Sequence, residues 1–313
     1  MTAAGRLKVA GIAVAALAAG CVLGPLVIHP PPADPVVGAL QPPLATVTAL
    51  ELDDGTTIVA RRVEETPDGL IATGAGRRRV VDPARVTATT RHRLWLGSDR
   101  FGRDVLYQLL VGGRISLAIA ALSLVLAVAI GGTVGVAAAT GGRLVDAVLM
   151  RCVDACLAFP LLFLMILAAA VLRPDPLLLV LLLGGTSWMG VARLVRGQVL
   201  SLRTRPFVAA ARVSGSPWHR IALWHYAPNL VGPVSQDTAL RMGDLVLAEA
   251  TLSYLGLGVP PSVPTWGSMV AQGHRALPEG WWLAVFPGLA IALLVIGLAL
   301  LGDALQRLTE PGA

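Results

Sequence analysis

The chain has 313 residues, of which 55% are hydrophobic and only 14% charged, with a formal net charge of +6. Its mean hydropathy is +0.71, whereas soluble domains carry about 25% charged residues; composition therefore argues against a soluble globular enzyme and for a polytopic membrane protein. The basic excess is almost wholly arginine, Lys8 being the only lysine, and in such a chain it reads as topology and lipid-surface charge before nucleic-acid binding.

Residues 9–28 are apolar throughout and, at ~1.5 Å per residue, long enough to cross ~30 Å of hydrocarbon. Arg6 and Lys8 ahead of this run, and Ala-Ala-Gly-Cys21 within it, have the form of a lipoprotein signal. The run continues past Cys21 through VLGPLVI, so the expectation is a retained first span and an N-terminal unit of residues 1–29. Residues 30–95 follow as a long loop. It opens on HPPPADP and continues as VTALELDDGTTIVARRVEE, where an Asp-Asp-Gly turn between two β-prone runs reads as a hairpin. GLIATGAGRRRVV adds one or two strands, so residues 46–88 read as a small β-rich insert outside the membrane, with Arg77, Arg78 and Arg79 on a solvated face.

Residues 96–114 are an amphipathic lead-in to a second span at 115–139. A third is expected at 155–172 and a fourth at 177–193. The fifth, 234–257, is the least apolar, because Asp237, Arg241, Asp244 and Glu249 lie along it. The sixth, 281–301, starts at Trp281 and Trp282, residues favoured at a membrane interface. Residues 304–313 form a tail. Asp146, Arg151 and Asp154 stand at near-helical spacing before the third span and are expected to pair with one another at the interface. Cys21, Cys152 and Cys156 read as small packing residues, since no further ligands stand at metal-site spacing.

Six spans put both termini on one side. The 193–241 segment has seven arginines, whereas the connections near 173–176 and 258–280 have one each, Arg173 and Arg275. The positive-inside rule then places 193–241 and both termini in the cytoplasm. Loop 30–114 has eleven arginines on the opposite side, but it exceeds the ~60 residues over which the rule operates.

No catalytic constellation is present in the sequence. There is no glycine-rich loop ending in Gly-Lys, no HExxH and no GxSxG, and His29, His92, His219, His225 and His274 are scattered. Neither a catalytic residue nor a metal site is expected, and the chain reads as a non-enzyme. Glu249 differs from these groups. A charged residue within a span costs roughly 2.5–3.5 kcal/mol on insertion scales, so Glu249 is a candidate for a pathway or bundle-interior role.

Between the fourth and fifth spans lies FVAAARVSGSPWHRIALWHYAPN, residues 207–229. Pro206 can start a helix, Ala209, Ala210 and Ala211 give a surface that a partner can approach closely, Gly215 permits a reversal, and Pro217 restarts the chain. Two short helices meeting at a glycine make a rigid protrusion, which can transmit force where a floppy loop cannot. Trp218 and Trp224 would also suit an amphipathic helix lying in the headgroups.

Ala209-Ala210-Ala211, then Gly215, Ser216 and Pro217, then His225 and Pro228-Asn229, resembles the EAA loop of bacterial ABC importer permeases, whose usual form is Glu-Ala-Ala, three residues, Gly, and later His-x-Leu-Pro-Asn. Three further stretches resemble the C-type subunits of dipeptide and oligopeptide permeases: LGSDRFGRDVLYQLLVGGRISL (96–117), LAEATLSYLGLGVPPSVPTWGSMV (247–270) and LGDALQRLTEP (301–311). Ala209 stands in place of the usual Glu and Ala227 in place of the usual Leu.

The resemblance implies an all-α polytopic membrane protein with six transmembrane helices, the type I ABC importer permease fold, and a small extracytoplasmic β-rich insert. The transmembrane domain would span 115–303, with a cytoplasmic coupling loop at 205–229. That loop would dock on cytoplasmic ATP-binding subunits, which hold ATP and Mg, with no cofactor in this chain. A second permease subunit, giving a heterodimer, would complete the pathway in the bacterial inner membrane. An extracytoplasmic solute-binding protein would deliver the solute, with membrane lipid around the bundle and no nucleic acid bound. The solute implied is a di- or oligopeptide; nickel or a metal chelate is the alternative in the same family. A receptor or assembly protein acting through its outer loop is the alternative from another class.

Overall fold

The computed structural model describes residues 3–31, 33–66, 69–74, 77–158, 163, 165–167, 171–172, 175–260 and 262–309. A helical bundle carries two small antiparallel sheets at one end. The helices are α1 (Ala3–Val27), α2 (Val105–Thr140), α3 (Gly142–Leu157), α4 (Pro176–Leu202), α5 (Pro206–Val213), α6 (Trp218–Ile221), α7 (Ala227–Tyr254), α8 (Trp266–His274) and α9 (Trp282–Thr309). Among the described residues, the segments 8–27, 105–140, 176–202 and 282–307 are long and apolar enough to cross a membrane. Helix α7, with its four ionisable residues, falls outside that set. The third expected span, 155–172, falls partly outside the described residues, which within it are 155–158, 163, 165–167 and 171–172.

Helix boundaries depart from the hydropathy reading for identifiable reasons. Helix α2 already starts at Val105, so most of the lead-in belongs to the same rod. Its start is fixed by a polar knot. The Asp104 carboxylate accepts from the Tyr107 amide (2.9 Å), capping the helix. Asp99 accepts from the amides of Phe101 (2.8 Å) and Arg103 (2.9 Å) and from the Gln108 side chain (3.0 Å). Helix α4 runs past Arg193 and Arg196, where apolarity ends, because both arginines find partners on α3. Arg193 pairs with Asp154 at 2.5 Å, and Arg196 grips Asp146 through two nitrogens. The expected pairing of Asp146 and Asp154 with Arg151 is thus replaced by pairing across to α4. Asp146 and Arg151 are five apart, which puts them on different helix faces.

The strands are β1 (Ala45–Leu52), β2 (Thr57–Ala60), β3 (Arg62–Thr66), β4 (Gly69–Gly74), β5 (Arg77–Val81) and β6 (Val86–Leu94). They form sheets of order β2-β1-β6 and β3-β4-β5. Leu50, Ile58 and Ala60 of the first sheet and Ala72 and Val81 of the second share one apolar core. In the β1–β2 turn, hydrogen bonds from the hydroxyl and amide of Thr56 hold the Asp54 carboxyl down to about 2. Asp34, buried in the connection from α1, accepts from Val59 of β2 at 2.9 Å. Trp282, opening α9, donates its indole N–H to the Ser98 carbonyl (3.2 Å). These bonds pin the sheets to the bundle.

Contact register gives the helix directions. Cys21 and Gly24 of α1 meet Gly113 and Leu110 of α2, and Gly11 and Val14 meet Leu301 and Gly297 of α9, so α1 runs opposite to both. Gly243 of α7 meets Val295 of α9, and Leu240 meets Gly302, so these two also run antiparallel. The start of α1 and the end of α9 therefore share the end of the bundle opposite the sheets, where α5 and α6 also lie.

Helices α2 and α4 run parallel and make the most extensive helix contact among the described residues. A Cβ added at Gly131 would lie 2.5 Å from the Trp188 carbonyl and 2.6 Å from Val191 Cβ, and one at Gly135 would lie 2.7 Å from the Ala192 carbonyl. Four residues apart, the two glycines lie on one face and let the backbones touch, the usual means of joining helices in lipid, where hydrophobicity itself supplies no drive. We expect Gly131→Ala to destabilise the chain by about 1–3 kcal/mol, the cost of overpacking. At the neighbouring Gly132, where an added Cβ meets nothing within 4 Å, Ala is expected to be neutral or to stabilise by up to about 1 kcal/mol through helix propensity. Thermal denaturation of the two variants in one detergent compares them.

Candidate functional site

The 207–229 segment forms a hinged pair of short helices. Arg205 is extended and Pro206 occupies the first turn of α5, where its missing N–H costs nothing. The helix ends in a Schellman arrangement: the Ser216 amide donates to the Ala211 carbonyl (3.1 Å) and the Gly215 amide to the Arg212 carbonyl (3.0 Å). Gly215 has φ +72, the left-handed region that other residues enter at a cost. Pro217 then opens α6, which runs through a π turn at Ala222–Tyr226 into α7. Pro228 has no N–H to give the preceding turn, and a widened turn relieves that mismatch. The second short helix anticipated from WHRIALWHY is thus continuous with the long helix behind it.

The inner face of this pair is anchored. Val208, Ile221 and Tyr226 are buried against Val191, Val195 and Val199 of α4, with Leu230 and Ala139 completing the cluster. Arg212 donates to the Tyr226 hydroxyl at 3.1 Å, tying α5 to the π turn. Arg203 donates to the Ala139 carbonyl, bracing the ends of α4 and α2. The Phe207 and His225 rings stand 6.1 Å apart, tilted at 47°. Spacing along the sequence gave no signal for the Arg212–Tyr226 and Arg203–Ala139 links.

The outer face is open. Ala209, Ala210, Gly215 and Pro217 are exposed, and Ala211 and Ser216 are partly so. Val213 on the same helix is 90% exposed, and Trp224 and Trp218 are 74% and 71% exposed, Trp218 lining an apolar groove with Val128 and Val136 of α2. His225, Pro228 and Asn229 belong to the root of the protrusion; the Asn229 side chain donates to the His225 carbonyl (2.7 Å) and steadies the π turn. The expected loop residues therefore divide into an exposed surface of small groups and a structural root.

Glu249 lies elsewhere, fully buried on α7 where α2 and α8 meet it. The Ser253 hydroxyl donates to its Oε1 at 2.7 Å, while Oε2 has no hydrogen-bond partner among the described residues. Ser116 of α2 and Thr265, which caps α8, are its other polar neighbours. Among the described residues the carboxyl is enclosed between α2, α7 and α8. Ser253→Ala would remove the hydroxyl donor to Oε1, and loss of the partner of a buried polar atom costs about 1–3 kcal/mol. At this chain length that lowers the denaturation midpoint by several degrees, as a thermal melt in detergent would show, with no change expected at the α5–α6 surface.

A family model described as binding-protein-dependent transport system inner membrane component matches residues 127–313, which include the whole α5–α6 surface. A Brucella suis protein named as a peptide transport system permease is 39% identical over 215 residues, 69% of this chain and 72% of that one. A Brucella ovis protein named as a peptide permease is 34% identical over 235 residues, 74% and 78% of the two chains. The oligopeptide transport system permease protein OppC of Haemophilus influenzae is 34% identical over 217 residues, 69% and 70% of the two chains. With the apolar helices of the bundle, these matches establish a multi-pass membrane protein, and the chain belongs to the binding-protein-dependent transport system inner membrane components, the non-catalytic permease subunits of ABC importers.

Proposed function

We propose that this chain is one of two different permease subunits of an ATP-driven peptide importer, and that α5 and α6 are the element through which a cytoplasmic ATP-binding subunit drives it. The observation that carries this reading is the protrusion itself: an exposed outer face of small residues with Val213 open on the same helix, and an inner face locked onto α4 and α7. Movement imposed on such a body passes directly into two long helices. Relatives named for peptide and oligopeptide transport support a peptide solute.

In this reading the polypeptide crosses the membrane six times, with α3 and the residues after it as the third crossing and α7 as the fifth. The domains are those drawn from the sequence: a first span within 1–29, an outer loop at 30–95 holding both sheets, a transmembrane domain at 115–303 and a tail at 304–313. Both termini and α5–α6 lie in the cytoplasm, a placement supported by the seven arginines of 193–241. The sheets lie outside, beside an arriving solute-binding protein. ATP and Mg belong to the partner subunit. Ala209 in place of the usual Glu leaves docking to shape, carried by Ala210, Ala211 and Gly215.

Gly215→Trp tests the docking surface. An added Cβ at Gly215 meets nothing within 4 Å, so the indole would project outward, and uptake of labelled peptide is expected to fall at least tenfold with the amount of chain in the membrane unchanged. Gly215→Asn, which tolerates the left-handed region, is expected to retain uptake. Normal uptake by the Trp variant would contradict the assignment.

A further inference from the structure

Helix α7 carries three ionisable groups that the docking surface and the Glu249 junction leave unused: Asp237, Arg241 and Asp244. Asp237 and Arg241, four residues apart, form an ion pair through Arg241 Nε. The guanidinium lies over Gly190 of α4, which has no side chain to displace it, with Nη1 3.5 Å from the Ser187 carbonyl. Asp244 is exposed and has no ion-pair or hydrogen-bond partner among the described residues.

Arg241 and Asp244 line a cavity of about 230 Å³ with Leu157, Met165, Thr186 and Ser187. Thr186 to Gly190 lie 10 to 14 residues along α4 from Pro176, which at ~1.5 Å per residue is about 15–21 Å into the bundle. Ionisable residues at such depth face a polar path or a partner and turn away from lipid.

The charges specify a ligand. Asp237, Arg241 and Asp244 sum to one uncompensated negative charge, which belongs to Asp244. Thr186 spends its hydroxyl proton on the Leu182 carbonyl (2.7 Å), so toward the cavity its oxygen can only accept. An open carboxylate beside a hydroxyl acceptor suits a group with several N–H donors and a positive charge. The terminal nitrogens of Arg241 are donors suited to an oxygen nearby. An ammonium followed by a carbonyl is the amino end of a peptide.

We propose that this cavity is a transit subsite for the amino terminus of the solute, with Asp244 and Thr186 receiving its ammonium group, and Arg241, held by Asp237, receiving the adjoining carbonyl oxygen. The proposal rests on the reading of the chain as a peptide importer subunit. It adds a polar contact within the membrane that discriminates by charge after the binding protein has released its cargo.

The test uses the whole transporter in proteoliposomes, with saturating binding protein and labelled alanine peptides of two to five residues. Asp244→Asn is expected to lower import at least tenfold with the denaturation midpoint within about 2 °C of wild type. Asp244→Glu, which restores the charge, is expected to recover at least a third of the wild-type rate. Thr186→Val, nearly isosteric, reads the same site should Asp244→Asn fail to accumulate, with import expected to fall about threefold. Wild-type import by Asp244→Asn, or by Thr186→Val when that variant is the one assayed, overturns the subsite and leaves the peptide reading standing. Absence of import of every peptide by the wild-type transporter overturns both.

Discussion

The architecture hangs on the backbone contact between α2 and α4 at Gly131 and Gly135. With no side chain between them, the two parallel helices are held at one distance and one register. Everything at the end opposite the sheets inherits that register: the Arg203 brace to Ala139, the valine row of α4, and through it the burial of Val208, Ile221 and Tyr226. Close-packed interiors shift between discrete arrangements more readily than they deform. Under the proposed coupling, a push on α5 and α6 is therefore delivered to α4 and α7 instead of being absorbed within the connection.

Polar groups inside the bundle follow two different designs. Glu249 is enclosed, hydrogen-bonded to its own helix through Ser253 and surrounded by Ser116 and Thr265, and its place is that of a pin between α2, α7 and α8. Arg241 and Asp244, one to two turns earlier on the same helix, instead border an open recess, with Asp237 paired to Arg241. The same helix thus holds a fixed polar junction toward the sheet end and ionisable groups with room for a ligand nearer its middle. That arrangement suits an element that must stay packed while a solute passes beside it.

Much of this was legible in the sequence. Apolar runs located α1, α2, α4 and α9, and the Asp-Asp-Gly turn located the β1–β2 hairpin, because length and turn chemistry are local properties. Pro206, Gly215 and Pro217 announced the helix–turn–helix at 206–221 for the same reason. Boundaries went astray wherever a partner distant in sequence decided them. Arg193 and Arg196 looked like the end of a span, yet Asp154 and Asp146 carry the helix onward. Asp146 and Asp154 looked like partners of Arg151, since nothing local reveals that α3 folds back on α4. Asp237, Arg241 and Asp244 made α7 the least convincing span, and only the fold places two of them against Thr186 and Ser187. Fine spacing between glycines gave no hint of which would touch: Gly131 and Gly132 are adjacent, and one is packed against backbone while the other is open.

The central claim is that the outer face of α5 and α6 docks on an ATP-binding subunit. Val213, 90% exposed, is the position to test it. With the exposed Cys152 and Cys156 replaced by serine, Val213→Cys would be treated with a short thiol-to-thiol crosslinker in native membranes, with and without ATP, and the products identified by mass spectrometry. The account predicts a single major adduct to a nucleotide-binding subunit whose yield changes with ATP. Absence of any such adduct, with the chain present in the membrane and the cysteine open to small thiol reagents, would contradict it.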